Sequence, residues 1–300
     1  MSPSARLWTA LFTIYVIWGS TYLAIALAVE TMSPTFAVST RYVVAGVLLA
    51  AWLVWRSGWH ALVVTRMELA SVAIVAVLLI GANVLLFYAE RTVPTSLASL
   101  IIASVPLIVA ALRIAAGDRP PATVLVGIAA GFAGIAVLVR PTVDADVTGI
   151  ALVVGSALAW AIGSFLSPRL PLPRSSLTVT TLQMLIGGLI FLPLGLASAP
   201  EPGEVSARSL AGWAYLVVFG ALVGYTAYVW LLAHAPIGLV ATYAYVNPVV
   251  AIALGTAVLD ESLTTAMVIG ATIVLTSVAV VVRREPPVAE PVPLVTTIDR

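Results

Sequence analysis

The sequence repeats itself at an offset of 142 residues, which is the distance that separates Pro106 from Pro248. The same offset, with no gap opened, joins four further pairs: Pro94 and Pro236, Asp118 and Asp260, Trp18 and Trp160, and Arg41 and Gln183. Matches between leucines or alanines arise by chance in an apolar chain, but prolines, tryptophans and aspartates are rarer. The chain is therefore predicted to contain two copies of one unit, residues 1–141 and 142–284. A disordered, proline-rich tail over residues 285–300 is expected to follow them.

The composition identifies lipid as the solvent of this duplicated unit. Hydrophobic residues make up 61% of the 300 residues and charged residues 9%, and the mean hydropathy is +1.12. A soluble globule of this size cannot bury so much apolar surface. The formal net charge of +1 and the absence of a basic run argue against nucleic acid as a partner. The chain has no cysteine and no metal-ligand cluster in its sequence, so we expect neither a metal nor a cofactor.

Charged or proline-rich breaks divide the sequence into ten apolar segments of about 20 residues, the length that a helix needs to cross the hydrocarbon. They cover residues 7–29, 36–55, 68–89, 94–115, 122–140, 149–167, 177–197, 210–232, 238–259 and 263–282. The first segment is longer than the apolar region of a signal peptide, and its Trp18 has a repeat partner, so we expect it to be retained. The fold class predicted is an all-α polytopic membrane protein with ten transmembrane helices.

The arginines and the number of segments predict how the two units sit in the membrane. Most arginines outside the segments fall in alternate loops and in the two terminal regions. Positive charge is retained on the cytoplasmic side, so both termini are predicted to be cytoplasmic. Each unit has five segments, an odd number, and the second unit must therefore enter the membrane from the opposite side. Carriers built from such inverted repeats bind their solute between the repeats and expose it alternately to either side.

Five motifs give the chain a resemblance to a known family. They are IWGSTYLAI at residues 17–25, RYVVAGVLL at 41–49, ASLIIASVPLIVAAL at 98–112, GIAAGFAGIAVLV at 127–139 and YVNPVVAIALGTAVLDE at 245–261. In these motifs, in its helix number and in its duplication, the chain resembles the ten-helix EamA-type members of the drug/metabolite transporter superfamily. The resemblance implies a carrier of the bacterial inner membrane, often an exporter of amino acids, related metabolites or toxic compounds. Asp118-Arg119-Pro120 departs from the family, which usually has a glutamate at this turn.

Uncharged polar and aromatic residues are the main candidates for a solute site because they recur in both copies. Trp18, Tyr22 and Asn83 correspond to Trp160, Ser164 and Tyr225 at the 142-residue offset, and the ninth segment adds Tyr243, Tyr245 and Asn247. Such a lining would offer ring faces to an apolar group and amide or hydroxyl groups to a polar one. It suits a neutral or zwitterionic metabolite. For the two tryptophans, helix packing is an equally good interpretation.

Arg41 is a charged candidate because it lies two turns inside the second segment. An arginine within a span marks a functional site by default, and a guanidinium can bind a carboxylate through paired hydrogen bonds. The structural alternative, which we favour, is that Arg41 reaches outward to water or is neutralised by Glu30 or Glu90. The remaining candidates are Pro106 and Pro248, which interrupt helical hydrogen bonding at mid-span. They are either gate hinges or static bends.

The carboxylates limit the mechanism that the sequence predicts. Glu30, Glu68 and Glu90 stand at segment ends, as do Asp118 and Asp260, and none is expected at mid-bilayer. A simple proton relay through an intramembrane acid is therefore disfavoured.

Three other function classes remain as alternatives. A multidrug or toxic-compound efflux carrier would use the same architecture. An intramembrane lipid-modifying enzyme is less favoured because His60 and His234 are predicted in loops, away from any serine within a span. A channel is disfavoured because the sequence has no filter-like loop.

The oligomeric state is also open. Gly127, Gly131 and Gly134 predict close helix packing, either within the chain or between subunits. A monomer and a homodimer are therefore both compatible with the sequence.

Overall fold

The computed structural model of the protein describes residues 3–93, 95–139, 146–201, 203–250 and 265–284. These residues form helices joined by short turns, and no strand occurs among them. A helix pairs its backbone polar groups within one segment, which is what lipid demands of a spanning chain. The predicted tail at 285–300 and the repeated Asp260 lie outside the described residues.

The described residues of the first half form six α-helices. They are α1 Pro3–Ala28, α2 Pro34–Ser57, α3 Arg66–Ala89, α4 Thr95–Ile102, α5 Val105–Ala115 and α6 Ala122–Val139. The second half begins with α7 Val147–Leu166, α8 Ser176–Ala197 and α9 Ala207–Tyr215. A π-helical segment, Leu216–Tyr225, then leads into α10 Thr226–His234 and α11 Ile237–Ala241. The described part of α12 covers residues 243–250, and α13 is Thr265–Arg284.

Within the described ranges, six helical stretches are long and apolar enough to cross a membrane: Ser4–Ala28, Pro34–Ser57, Arg66–Ala89, Val147–Arg169, Ser176–Ala197 and Ala207–His234. Shorter apolar helices, Val105–Ala115, Ala122–Val137, Ile237–Val250 and Val268–Val281, lie within the remaining predicted spans. The prediction of an all-α polytopic membrane protein is therefore confirmed.

Side-chain caps fix where several of these helices begin. Ser33 accepts a hydrogen bond from the backbone N–H of Phe36 at the start of α2, where proline follows it. Thr65 and Glu68 form a reciprocal capping box on α3. Asp146 and Ser175 cap α7 and α8 in the same way as Ser33 caps α2. Each cap satisfies an amide that the first helical turn leaves without a partner.

Helices of one half pack against helices of the other half, and the contacts show that they run antiparallel. The α2 and α8 pair brings Gly46 to Leu185 and Gly195 to Thr35, so the start of one helix meets the end of the other. On α6 and α13, Gly127 meets Val281 at one end.

Two further pairs of helices also join one half of the chain to the other. The α3 and α7 pair is joined by a hydrogen bond of 2.8 Å from the Ser156 hydroxyl to the Ala82 carbonyl. The α1 and α9 pair is joined by one of 2.8 Å from the Ser209 hydroxyl to the Leu27 carbonyl. At the 142-residue offset, α2 is equivalent to α8 and α6 to α13, while α1 and α3 are equivalent to the spans of α7 and α9. These pairs are those that an inverted two-fold relation between the halves requires.

Glycine permits the close approach of the paired helices. A Cβ at Gly188 on α8 would lie 2.8 Å from the backbone nitrogen of Val43 on α2. Gly127, Gly131 and Gly134 on α6 all face α13, near Val281, Ser277 and Ile273. Of the two interpretations offered by the sequence for these three glycines, the structure shows packing within the chain.

The two halves are not identical in detail. The stretch of α3 that corresponds to the π-helical segment is an ordinary α-helix. The fourth span is interrupted at Ala103 and Ser104, two residues before Pro106, whereas its counterpart is interrupted at Thr242, six residues before Pro248. π-Helical turns are rare and are frequent at functional sites. The differences between the repeats are therefore concentrated in the spans that carry candidate site residues.

We expect Gly188→Ala to destabilise the protein, because the added methyl group would press on the backbone of Val43 and something must shift. The cost expected for such overpacking is about 1–3 kcal/mol. Gly155→Ala is the matched control, since a Cβ there would meet only the Leu85 side chain at 3.5 Å, an ordinary contact. Thermal unfolding of both purified variants in one detergent checks this expectation. An equal melting temperature for the two would contradict it.

Candidate solute-binding site

A cavity lies between the two halves, lined by residues of α1, α2, α3 and α4 from the first half and of α7 and α12 from the second. It has about 600 Å³ of empty space, counting the space that is open to solvent. The lining residues are Trp18, Thr21, Tyr22, Ile25, Arg41, Tyr42, Ala82, Asn83, Leu86, Ile102, Ser156, Trp160, Tyr243 and Asn247.

Helical spacing explains which side chains of α1 reach the cavity. Trp18, Thr21, Tyr22 and Ile25 are separated by three or four residues, so they occupy one face of the helix. Asn83 and Leu86 present the corresponding face of α3. The Asn83 side-chain amide donates a hydrogen bond of 2.9 Å to the Leu79 carbonyl one turn earlier, which fixes its rotamer.

Four aromatic residues, which we call the aromatic cluster, close the cavity on the side of the α1 amino terminus. They are Trp18, Trp160, Tyr228 and Tyr243. The ring centroids of Trp18 lie 5.4 Å from Trp160 and 4.9 Å from both Tyr228 and Tyr243. Edge-to-face contacts at these distances are favourable. One turn further along the helices, Tyr15 is hydrogen-bonded to Thr242 and Ser164 to Tyr228, which ties the cluster to its surroundings.

Arg41 is held within the protein, and the structure shows neither of the structural roles considered for it. Its exposed fraction is 4%, so it does not reach outward to water. Glu30 instead lies 3.5 Å from Arg208, and neither Glu90 oxygen has a hydrogen-bond partner. The Arg41 Nη2 donates to the Tyr42 hydroxyl at 2.9 Å, and its guanidinium carbon lies 4.6 Å from the centre of that ring.

Three residues that line the cavity carry buried polar atoms that have no hydrogen-bond partner in the described part of the chain. They are the Arg41 Nε and the Trp160 Nε1, which are donors, and the Asn247 Oδ1, which is an acceptor. A buried polar group left without a partner costs about 1–3 kcal/mol. A molecule that offers an acceptor to the two donors and a donor to Asn247 would recover this free energy.

The predicted site residues are placed in two groups. Trp18, Tyr22, Arg41, Asn83, Trp160, Tyr243 and Asn247 line the cavity together. Ser164, Tyr225 and Tyr245 do not. The Tyr225 hydroxyl donates to Gln183 Oε1 at 3.1 Å, and the Tyr245 hydroxyl donates to the Ile128 carbonyl at 2.7 Å, where its ring lies against α6. Pro106 and Pro248 are both buried and lie in spans that contribute to the cavity.

Sequence reasoning missed several residues of the site. Tyr228 is equivalent to Leu86 at the 142-residue offset, so the recurrence of polar residues did not reveal it. Ser156 has an equally apolar counterpart, Ile14. Thr21 and Tyr42 adjoin predicted residues, and helical spacing from Trp18 would have identified Thr21.

Glu90 stands at the end of α3, as predicted, but it is not solvated. Both of its carboxylate oxygens lack solvent contact, and neither has a hydrogen-bond partner among the described residues, although the rest of the side chain is partly exposed. This burial raises the pKa of the Glu90 carboxyl to about 8.

The histidines lie away from the cavity. His60 is exposed on a short 3₁₀ turn, and His234 is exposed at the end of α10, where its ring stacks on Trp230. In the described ranges no three histidine, aspartate or glutamate side chains are grouped so that they could hold a metal ion.

The chain is similar to known proteins over most of its length. The model of the EamA-like transporter family matches residues 7–140 and again residues 147–283, close to the two predicted copies. The chain is 34% identical over 263 residues to the uncharacterized inner membrane transporter YedA of Escherichia coli, covering 86% of this chain and 84% of the relative. It is 27% identical to the protein PecM of Dickeya dadantii, with 88% of each chain covered.

A solved crystal structure has the same fold. Its TM-score is 0.76 at 18% sequence identity, and the match covers 94% of this chain and 99% of the other. The duplicated family match, the relatives and the helical architecture agree. The chain belongs to the EamA-like transporter family.

Proposed function

We propose that the protein is a secondary transporter that exports a small neutral or zwitterionic metabolite, an amino acid or a similar compound, by alternating access. The observation that supports this proposal is the set of unpaired polar atoms on the wall of the cavity between the repeats. Arg41 and Trp160 present donors, Asn247 presents an acceptor, and aromatic rings form much of the remaining wall.

The chemistry of these groups selects the class of solute. A carboxylate would accept from the Arg41 guanidinium in a charge-assisted hydrogen bond and from the Trp160 indole. An ammonium or amide group would donate to Asn247. The apolar part of the solute would pack on the rings of Trp18 and Tyr243. Arg41 is the one cation among the lining residues, and it balances one negative charge on the solute. A second negative charge would remain uncompensated, so polyanions fit poorly.

The relation between the repeats supports alternating access. Tyr22 and Asn83 line the cavity, whereas their repeat partners Ser164 and Tyr225 are buried and do not line it. If the two halves exchange conformations, Ser164 and Tyr225 come to line a cavity that opens towards the other side. Pro106 and Pro248 lie in the equivalent spans that would have to bend, and we propose that they are the hinges.

A toxic-compound efflux carrier is a second candidate, favoured by the extent of the apolar and aromatic wall. A drug of that kind would depend on the rings and little on Arg41. The two candidate functions therefore differ in which substitutions should impair transport. Catalysis is not part of the proposal.

Transport is tested by comparing metabolites inside and outside bacteria with and without the protein, followed by flux of the enriched compound into liposomes. We expect saturable movement of a chemically unchanged solute. In the same liposomes, Arg41→Met should lower flux about tenfold to a hundredfold at low solute concentration, since a hydrogen bond to a charged group contributes about 1.5–3 kcal/mol.

Arg208→Gln is the matched control for Arg41→Met, because Arg208 is an exposed arginine that pairs with Glu30 at the far end of α1. Its flux should equal that of the unmodified protein. Conversion of the solute would argue for an enzyme, and unimpaired flux in Arg41→Met would favour the efflux candidate over the zwitterion carrier.

Asn247 and Tyr245 provide a contrast within one helix. Asn247→Ala should reduce flux with little change in melting temperature, because it removes an acceptor that no described residue uses. Tyr245→Phe should lower the melting temperature and leave the solute affinity unchanged, because its hydroxyl bonds the Ile128 carbonyl outside the cavity. Dependence of flux on solute concentration, measured beside thermal unfolding, separates the two effects. Reversal of this pattern would remove Asn247 from the site.

We also propose that the protein lies in the bacterial inner membrane with its termini in the cytoplasm. The chain has no cysteine, so a single introduced thiol reports its own location. Val147→Cys, at an exposed position at the start of α7, should react with a membrane-impermeant maleimide added to intact cells. Ser4→Cys should react only after the membrane is made permeable. Labelling of both thiols from the same side would contradict the proposed crossings.

A further inference from the structure

Glu90 occupies an unusual position for an ionisable group. It ends α3, and its backbone N–H donates to the Leu86 carbonyl at 3.0 Å, so the side chain is anchored at the last helical turn. Both carboxylate oxygens are buried, and no residue in the described part of the chain forms a hydrogen bond with them. An ionised carboxylate in such a place is destabilised by several kcal/mol, whereas the protonated acid is neutral. The packed arrangement therefore favours the protonated form, which is consistent with the raised pKa of about 8.

Glu90 lies close to the cavity through one residue. Leu86, whose carbonyl accepts the hydrogen bond from the Glu90 backbone one helical turn earlier, lines the cavity together with Tyr22 and Asn247. A change in the charge of Glu90 therefore acts within one helical turn of the solute site.

The charged groups on neighbouring elements have other partners or face water. Glu30, which follows α1, pairs with Arg208, and Arg41 on α2 bonds Tyr42. Asp146, which precedes α7, accepts from the backbone N–H of Gly149. On its own side of the turn, Arg91 is exposed, and the Tyr88 hydroxyl accepts from Thr35. None of these groups bonds the Glu90 carboxylate, so a proton is the ligand that relieves its charge.

We propose that Glu90 is a proton-binding site and that loss of its proton opens the cavity towards the water at that end of α3. If the function proposed above is correct, the carrier is proton-linked. The step is a simple balance: the buried acid releases one proton to water, and the resulting carboxylate is hydrated as the packing around Glu90 loosens. Rebinding of one proton restores the closed arrangement.

The sign of the pH dependence follows from how strongly Glu90 holds its proton in the closed and open forms. The closed form holds the proton up to a pH of about 8, and the open form, with a hydrated carboxyl, holds it only to about the ordinary 4.5. Between these limits, opening releases one proton. The ratio of open to closed protein should therefore rise up to about tenfold per pH unit and level off above about pH 8.

The experiment uses the full-length protein in liposomes with Ile25→Cys as its only thiol. Ile25 lines the cavity and has an exposed fraction of 4%, so maleimide labelling requires opening. The rate is measured from pH 5 to 9 in the Ile25→Cys protein and in the same protein with Glu90→Gln, which keeps the neutral form. The pH also changes the reactivity of the thiol, but this effect is common to both proteins and cancels in the ratio of their labelling rates. We expect this ratio to rise with pH and then level off.

Glu30→Gln is the matched control, because Glu30 is an exposed glutamate at the same end of the helices. It should leave the pH dependence intact. Infrared titration of the unmodified protein should show a protonated carboxylic acid that disappears between pH 4.5 and about 8, a readout that does not depend on folding of the Glu90 variant. A flat ratio or the absence of that infrared band would overturn the proposal. Because labelling needs no solute, the proposal can fail while transport is observed, and it can stand while transport is not.

Discussion

The packing of each helix against a helix of the other repeat is the constraint on which the rest of the structure depends. In lipid, apolar side chains gain little from meeting each other, so association relies on close backbone approach and on polar contacts between helices. Gly188 against Val43 supplies the first, and the Ser156 bond to Ala82 supplies the second. Both link the two halves. A cavity formed at this contact must draw its walls from both repeats, and the observed cavity does.

The inverted symmetry also explains why equivalent residues meet at the centre. A residue near a two-fold axis lies near its own repeat partner. Trp18 and Trp160 are such a pair, with ring centroids 5.4 Å apart. The ring centroids of Tyr42 and Tyr225 lie 5.6 Å apart. The repeat-related Arg41 and Gln183 form hydrogen bonds with the hydroxyls of these two tyrosines: Arg41 donates to Tyr42, and Gln183 accepts from Tyr225. Rare residues that recur at the repeat offset were therefore a sound guide to the centre of the molecule.

The helix count, the duplication and much of the cavity wall could be predicted because each has a signal in single residues. The rotation of each helix could not. Tyr243, Tyr245 and Asn247 lie within five positions on one apolar stretch, yet Tyr245 faces α6 and the other two face the cavity. When nearly every neighbour is apolar, periodicity does not indicate which face turns inward. Packing decides it, and packing involves residues that are distant in sequence.

The burial of Glu90 could not be predicted from its place in the sequence either. A charge at the end of an apolar segment is normally solvated. Whether a helix end is solvated depends on what covers it, and the covering groups can belong to helices that are distant in sequence.

The differences between the repeats have a functional meaning of their own. Two identical inverted copies would make a symmetric molecule with no preferred side. Here one third span is α-helical, while its partner contains the π-helical segment at which the Trp18 indole donates to the Gly220 carbonyl at 3.4 Å. One repeat carries Arg41 where the other carries the neutral Gln183. A solute carboxylate would therefore be bound more strongly when the first repeat lines the open cavity than when the second does. In an alternating-access carrier, that difference in affinity sets the side on which the solute is preferentially held.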